Sequence, residues 1–269
     1  MSIAFLFPGE SAHRAGMLHR LPDTAAAAGV LAEAEAALQL ATERPGTVER
    51  AGLSEPVGVA ELDAADVLAA SPVARQTAVF IAGVAGGRAL VEDEDVCPGL
   101  VAGRDVGAYA AAVLGEVLTF EEALDVVRLR AVLTAGTEPP AAVRVRLAQR
   151  LATVPRRSQG CSYVGGSRGH LIARDTEGIF DDLALGAEQP GAWKRILACL
   201  APGGADRILE LPPSDALLPL VAESAPEALA VSVEAEGIAR AARRIRGDVE
   251  PEWYAEEAPI PDVWLGDAR

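Results

Sequence analysis

The chain has 269 residues, half of them apolar and only 4% aromatic, so it can bury one large core built mostly from Ala, Val and Leu. A formal net charge of −15 argues against a nucleic-acid or anionic-membrane surface, both of which need Lys/Arg patches. Cys97, Cys161 and Cys199 form no C-x-x-C pair and read as free thiols of a reducing cytoplasm, no metal or cofactor motif stands out, and no apolar run is long enough to span a bilayer.

Ile3 to Phe7 reads as a buried parallel strand, since it lacks a basic leader and meets Pro8-Gly9 at once. Ala25 to Leu40 has helical period, and residues 42 to 66 are mixed and turn-rich. Pro72 to Leu90 reads as a long helix with Val79, Phe80, Ala82 and Val84 on its apolar face, followed by an acidic loop, Glu92 to Asp95. The run Gly99-Leu100-Val101-Ala102 is a strand, and Ala108 to Leu114 an Ala-rich helix. Thr119 is an N-cap and Glu122 completes a capping box for a helix to about Leu133. Gly136 to Pro140 is a linker and Ala141 to Leu151 a basic helix. Gly160 to Val164 and Leu171 to Ala173 read as short strands around Gly165-Gly166-Ser167. Trp193 to Leu200 is a helix, Arg207 to Leu211 a strand before a Pro-Pro turn, Leu217 to Glu223 a short helix and Ala228 to Val233 a final strand. The pattern is α/β with a parallel sheet over residues 1–246.

Residues 247–269 differ. They are acidic and proline-rich, and they hold Trp253, Tyr254 and Trp264. So short a segment cannot bury its own core, yet its aromatics argue against pure disorder. Trp253 and Trp264 are expected to dock on this domain or on a partner.

Between the strand at 99–102 and the helix at 108–114 lies Gly103-Arg104-Asp105-Val106-Gly107. This is the strand, turn and helix context in which a G-x-S-x-G serine would stand exposed at the top of a sheet. The flanking glycines are present, but the central residue is Asp105. A carboxylate there argues against serine-based acyl transfer.

Four segments in order resemble the malonyl-CoA:acyl-carrier-protein transacylases and the acyltransferase domains of polyketide synthases. Ile3-Ala4-Phe5-Leu6-Phe7-Pro8-Gly9, with Gly16-Met17 after it, is similar to the family's opening strand and F-P-G-Q-G-S-Q loop. Arg75-Gln76-Thr77-Ala78-Val79-Phe80 is similar to T-Q-P-A-L-F, and Val101 to Arg130 tracks V-A-G-H-S-x-G-E-Y-A-A through V-x-x-R-G. Gln189-Pro190-Gly191-Ala192-Trp193 and Ile208-Leu209-Glu210-Leu211 are similar to S-P-V-R-W and the start of E-L-G-P-G. The resemblance implies an α/β-hydrolase-like acyltransferase core and carrier-protein S-malonyltransferase chemistry. The departures from it imply a pseudoenzyme. The family's His-Ser is Arg104-Asp105, and the Gln whose backbone amide helps hold the oxyanion is Glu10. Most of the small ferredoxin-like subdomain, which carries the catalytic histidine, is missing near residues 134–142. Arg130 survives at the position that clamps the malonyl carboxylate, so Arg130, Arg104 and Gln76 form a vestigial substrate-binding set. The implied partners are an acyl carrier protein or a biosynthetic enzyme, with a CoA-like ligand also fitting the resemblance.

The residues leave alternatives open. Ser11 is the hydroxyl that could stand in as nucleophile, and His13 the base for hydrolysing an adduct on Asp105; His19 reads as a surface residue and His170 matches no family base. Asp105 could itself attack, or simply cap a helix and pair with Arg104 or Arg130. A buried Arg130 needs a carboxylate, which Asp105 or Glu10 would supply, so Asp105, Arg104 and Arg130 are expected to form an internal charge cluster near Glu10. Arg144, Arg146, Arg150, Arg156 and Arg157 read either as a carrier-protein docking face or as an ordinary amphipathic surface.

Overall fold

The first strand, β1 (Ile3–Phe7), turns Phe5 and Phe7 to one side and Ala4 and Leu6 to the other, and all four are fully buried. A strand apolar on both faces must lie inside a sheet covered by helices on both sides. The computed structural model, which describes residues 2–43, 58–189 and 191–248, places it there. β1 pairs in parallel with β2 (Leu100–Gly103) and β5 (Arg207–Glu210). Outward from β2 lie β3 (Ser162–Gly165), parallel, and β4 (His170–Ile172), antiparallel; outward from β5 lies β6 (Leu229–Ser232), parallel. The sheet order is β4-β3-β2-β1-β5-β6.

The larger core carries α1 (Ala25–Glu43), α4 (Pro72–Arg88), α5 (Gly107–Leu114), α6 (Phe120–Ala135) and α7 (Pro140–Leu151). The smaller core packs α9 (Trp193–Leu197) and α10 (Leu218–Ser224) on Ala4, Leu6, Ala102 and Ile208. The capping box at Thr119 and Glu122 starts α6 as expected.

Several elements differ from the sequence expectation. The segment read as turn-rich holds two short helices, α2 (Val59–Leu62) and α3 (Ala65–Ala70), which bury Val59, Leu62 and Leu68. α4 is buried all round from Gln76 to Gly87, because its small side chains let α1, α5 and α6 close around it. The acidic loop begins as a π-helical turn, Ala89–Asp93. α9 stops early: Cys199 and Leu200 bond three residues back, tightening the chain before Pro202-Gly203-Gly204. Three further helices were not anticipated: α8 (Thr176–Leu185), α11 (Val233–Glu236) and α12 (Ile238–Arg246). α8 is capped by Asp175, whose carboxylate accepts the Gly178 N–H at 3.0 Å. α12 ends at Gly247 in the left-handed conformation and buries Ala241, Ala242 and Ile245. Residues 136–139 alone join α6 to α7, and among the described residues every strand belongs to the one sheet. Trp253 and Trp264 lie outside the described residues.

Candidate functional site

Phe7 stands opposite Gly103, so the loops leaving the carboxyl ends of β1 and β2 run side by side. That end of an open parallel sheet is where α/β proteins place ligands. The Arg104 N–H donates to the Phe7 carbonyl at 3.3 Å, tying the loops together. A Cβ on Gly103 would lie 2.2 Å from the Gly107 carbonyl oxygen, and one on Gly107 would lie 2.3 Å from the Phe7 and Pro8 oxygens. Only glycine lets the three backbones approach this closely. Between them Asp105 takes φ of +60°, the left-handed region that Asp tolerates better than most residues. The elbow geometry is therefore intact, with a carboxylate at its apex.

That carboxylate is fully engaged. One Asp105 oxygen receives the Arg130 guanidinium, and the other accepts the Glu10 backbone N–H at 3.2 Å. Arg130 reaches up from α6 and also donates to Gln76 Oε1 on α4 at 2.5 Å. Gln76 donates in turn to the Glu10 carboxylate at 2.9 Å, and Arg75 donates to the other Glu10 oxygen at 2.8 Å. The bonds form a closed circuit: Glu10 amide, Asp105, Arg130, Gln76, Glu10 carboxylate. Arg130 is 7% exposed and Asp105 22%, so the ion pair forms the floor of a cleft rather than a surface contact. The cleft measures about 330 Å³, and Glu10, Arg75, Gln76, Arg104, Arg130 and Thr134 contribute to its walls.

The expected cluster is corrected at Arg104. Arg104 lines the cleft but does not join the circuit, and its Nε is buried without a hydrogen-bond partner among the described residues. The reason is local: Asp105 turns toward Arg130 and the Glu10 amide, and both of its oxygens are taken. Ser11 is exposed on the single turn Glu10–Ala12 and is not among the residues that line the cleft. His13 bonds through Nδ1 to the Glu10 carbonyl at 2.7 Å, closing that turn. His19 meets buried Asp63 at 3.2 Å, and His170 sits exposed on edge strand β4. No histidine lines the cleft among the described residues.

Arg75, Thr134 and Asp182 belong to the site and were not anticipated as site residues. Thr134 lies one turn beyond Arg130, within reach of a helical-face argument, whereas Arg75 directly precedes Gln76 and points elsewhere on an ideal helix, so its place in the site came only from the structure. Asp182 sits on α8 and borders a small cavity behind the cleft, with Asp105, Arg130 and Ser167. It accepts the Ser167 N–H at 3.2 Å and is 4% exposed. Burial pushes its carboxyl up, against the lowering effect of the Ser167 and Gly166 amides. The signal was an acid on the apolar face formed by Ile179, Phe180 and Leu183, legible only once α8 is known to be a helix.

The five arginines of the basic segment each meet an acid of the same chain. Arg144 pairs with Glu188 at 3.3 Å, Arg150 with Asp125 at 2.7 Å, Arg156 with Glu177 at 2.7 Å and Arg157 with Glu122 at 2.6 Å; Arg146 pairs with Glu138. The segment is an internally neutralised amphipathic surface.

No family model matches the chain, and no curated protein does. Solved structures do match, and they define an α/β acyltransferase architecture. An acyl-carrier-protein S-malonyltransferase from Burkholderia pseudomallei superposes with a TM-score of 0.73 at 20% identity, over 87% of this chain and 96% of that one. A malonyl-CoA:acyl carrier protein transacylase from Xanthomonas oryzae pv. oryzae gives 0.69 at 17%, over 92% and 98%. A malonyl-transacylase solved in complex with its type II polyketide synthase acyl-carrier protein gives 0.73 at 17%, over 92% and 100%. The fold of this chain is that of the malonyl-CoA:acyl-carrier-protein transacylases. No described helix is long and apolar enough to cross a membrane.

Proposed function

We propose that this chain is a transacylase-fold pseudoenzyme, a non-catalytic structural or regulatory partner in carrier-protein-dependent fatty-acid-like or polyketide-like biosynthesis. The observation that carries this reading is the double engagement of Asp105. A transacylase needs a hydroxyl at the elbow, a base beside it and a free backbone donor for the oxyanion. Here the elbow carries a carboxylate, no histidine lines the cleft among the described residues, and the Glu10 amide already donates to Asp105. The same carboxylate takes up Arg130, the cation that the resemblance assigns to a substrate carboxylate. The short link at 136–139 supports the view that the small subdomain is largely deleted.

The carrier protein as partner class is supported by the similar complex of a transacylase with its acyl-carrier protein. The arginines of the basic segment already pair within the chain, which favours the tail over that segment as the proposed docking element. The tail tryptophans Trp253 and Trp264 are the proposed anchors, and truncation after Asp248 should abolish capture of the partner while the folded domain persists. Intact-mass spectrometry after incubation with malonyl-CoA and acetyl-CoA tests the central claim, and the expected result is an unmodified chain. A second reading, an active transacylase or thioester hydrolase with rearranged residues, draws on the left-handed posture that Asp105 keeps. A stable acyl adduct on Asp105 or Ser11 would establish that reading instead.

A further inference from the structure

Three guanidinium groups and two carboxylates line the cleft, namely Arg75, Arg104 and Arg130 with Glu10 and Asp105. Arg75 is neutralised by Glu10 and Arg130 by Asp105. Arg104 is left over, with its Nε buried and unpartnered among the described residues. A buried N–H without an acceptor is costly, and the half-buried Arg104 side chain, which pairs with no acid among the described residues, is a local positive site in a chain of net charge −15. The planar fork of arginine suits the two oxygens of a carboxylate or phosphate. Pro72, Ala135 and Ala187 supply apolar surface on the same cleft. We propose that the cleft binds a short-chain monocarboxylate, its head group on Arg104 and its alkyl chain against Pro72, Ala135 and Ala187.

This rests on reading the cleft as non-catalytic, and it goes further by naming the ligand class and the cation that selects it. The prediction is specific because Arg130 is already occupied. A second carboxylate on the ligand finds no free cation, so a dicarboxylate gains nothing over a monocarboxylate. The volume of about 330 Å³ lies at the small end for ligand sites and limits the chain to a short one.

The test is calorimetric titration of the full chain with butyrate, malonate and inorganic phosphate. The expected result is saturable butyrate binding, malonate binding no tighter, and phosphate weaker for want of an apolar tail. Arg104→Gln should weaken butyrate about tenfold or more, the scale of a charge-assisted hydrogen bond. Ala187→Leu, which fills the cleft without touching the charges, should weaken butyrate as well and serves if Arg104→Gln misfolds. Absence of saturable butyrate binding, equal affinity in Arg104→Gln, or a clear preference for malonate or phosphate would overturn the proposal. An acyl adduct in the mass experiment would instead overturn the non-catalytic reading, whatever the titration returns, so the two failures are distinguishable.

Discussion

Arg130 and Asp105 are a pair that neither residue could leave without cost. A guanidinium buried on α6 beside Gln76 of α4 cannot stay unpaired, and Asp105 supplies its counter-charge. Arg130→Ala should therefore destabilise the chain by roughly 3–5 kcal/mol in denaturant unfolding, because it leaves Asp105 without its partner. A change near zero would mean that the pair is solvated and weak. Asp182 gives a pH signature. Burial raises its folded value above the unfolded one, so the folded chain binds the extra proton. Its contribution is most favourable below the ordinary carboxyl range and is lost as pH rises through the raised folded value. Asp182→Asn should flatten that slope, so that as pH rises out of the ordinary carboxyl range the variant loses less stability than wild type. Parallel slopes for the two proteins would contradict the assignment. Glu210, also buried and raised, has the same sign and is present in both proteins.

At the scale of elements, the elbow sets two effects against each other. Gly107 opens α5, where helix propensity alone favours Ala by about 1 kcal/mol. The added Cβ would lie 2.3 Å from two backbone oxygens of the β1 loop, which cannot swing aside as a side chain can. Overpacking of this kind costs about 1–3 kcal/mol or more, so Gly107→Ala should lower the unfolding midpoint despite its better propensity. A raised midpoint would show that the loops separate easily. The capping box of α6 was legible because Thr119 and Glu122 are three residues apart and act locally. α12 was not read, although Ile238, Ala241, Ala242 and Ile245 recur at helical spacing among its arginines. α8 was missed because Thr176, Gly178 and two aspartates obscure a pattern that only its burial makes plain.

Across the whole molecule, the last described helix closes the larger core against β5 and β6. Ile245 is fully buried there, 38 residues beyond Arg207, whose guanidinium bonds to the Ile245 carbonyl. Ile245→Ala should cost about 2–5 kcal/mol by thermal or denaturant unfolding, as for other large-to-small core changes. A loss below about 1 kcal/mol would place α12 outside the cooperative unit. The sheet order puts β1 between β2 and β5, so the segments of the site converge from positions 10, 75, 105 and 130 of the chain.

The sequence by itself determined the elements whose signals are local. These include the doubly apolar strands, the capped α6 and the glycine-flanked elbow with the carboxylate of Asp105 at its centre. It also singled out Asp105, Glu10, Arg130 and Gln76, through a resemblance carried by four motifs in order. The tertiary structure alone decided how their charges pair. Asp105 could have turned to Arg104, its neighbour in the chain, yet it meets Arg130 and the Glu10 amide, 25 and 95 residues away. The choice follows from register and from the close approach at Gly103 and Gly107, which aim the Asp105 side chain across the cleft. Such distances are set by packing between elements, and no local pattern of residue types encodes them.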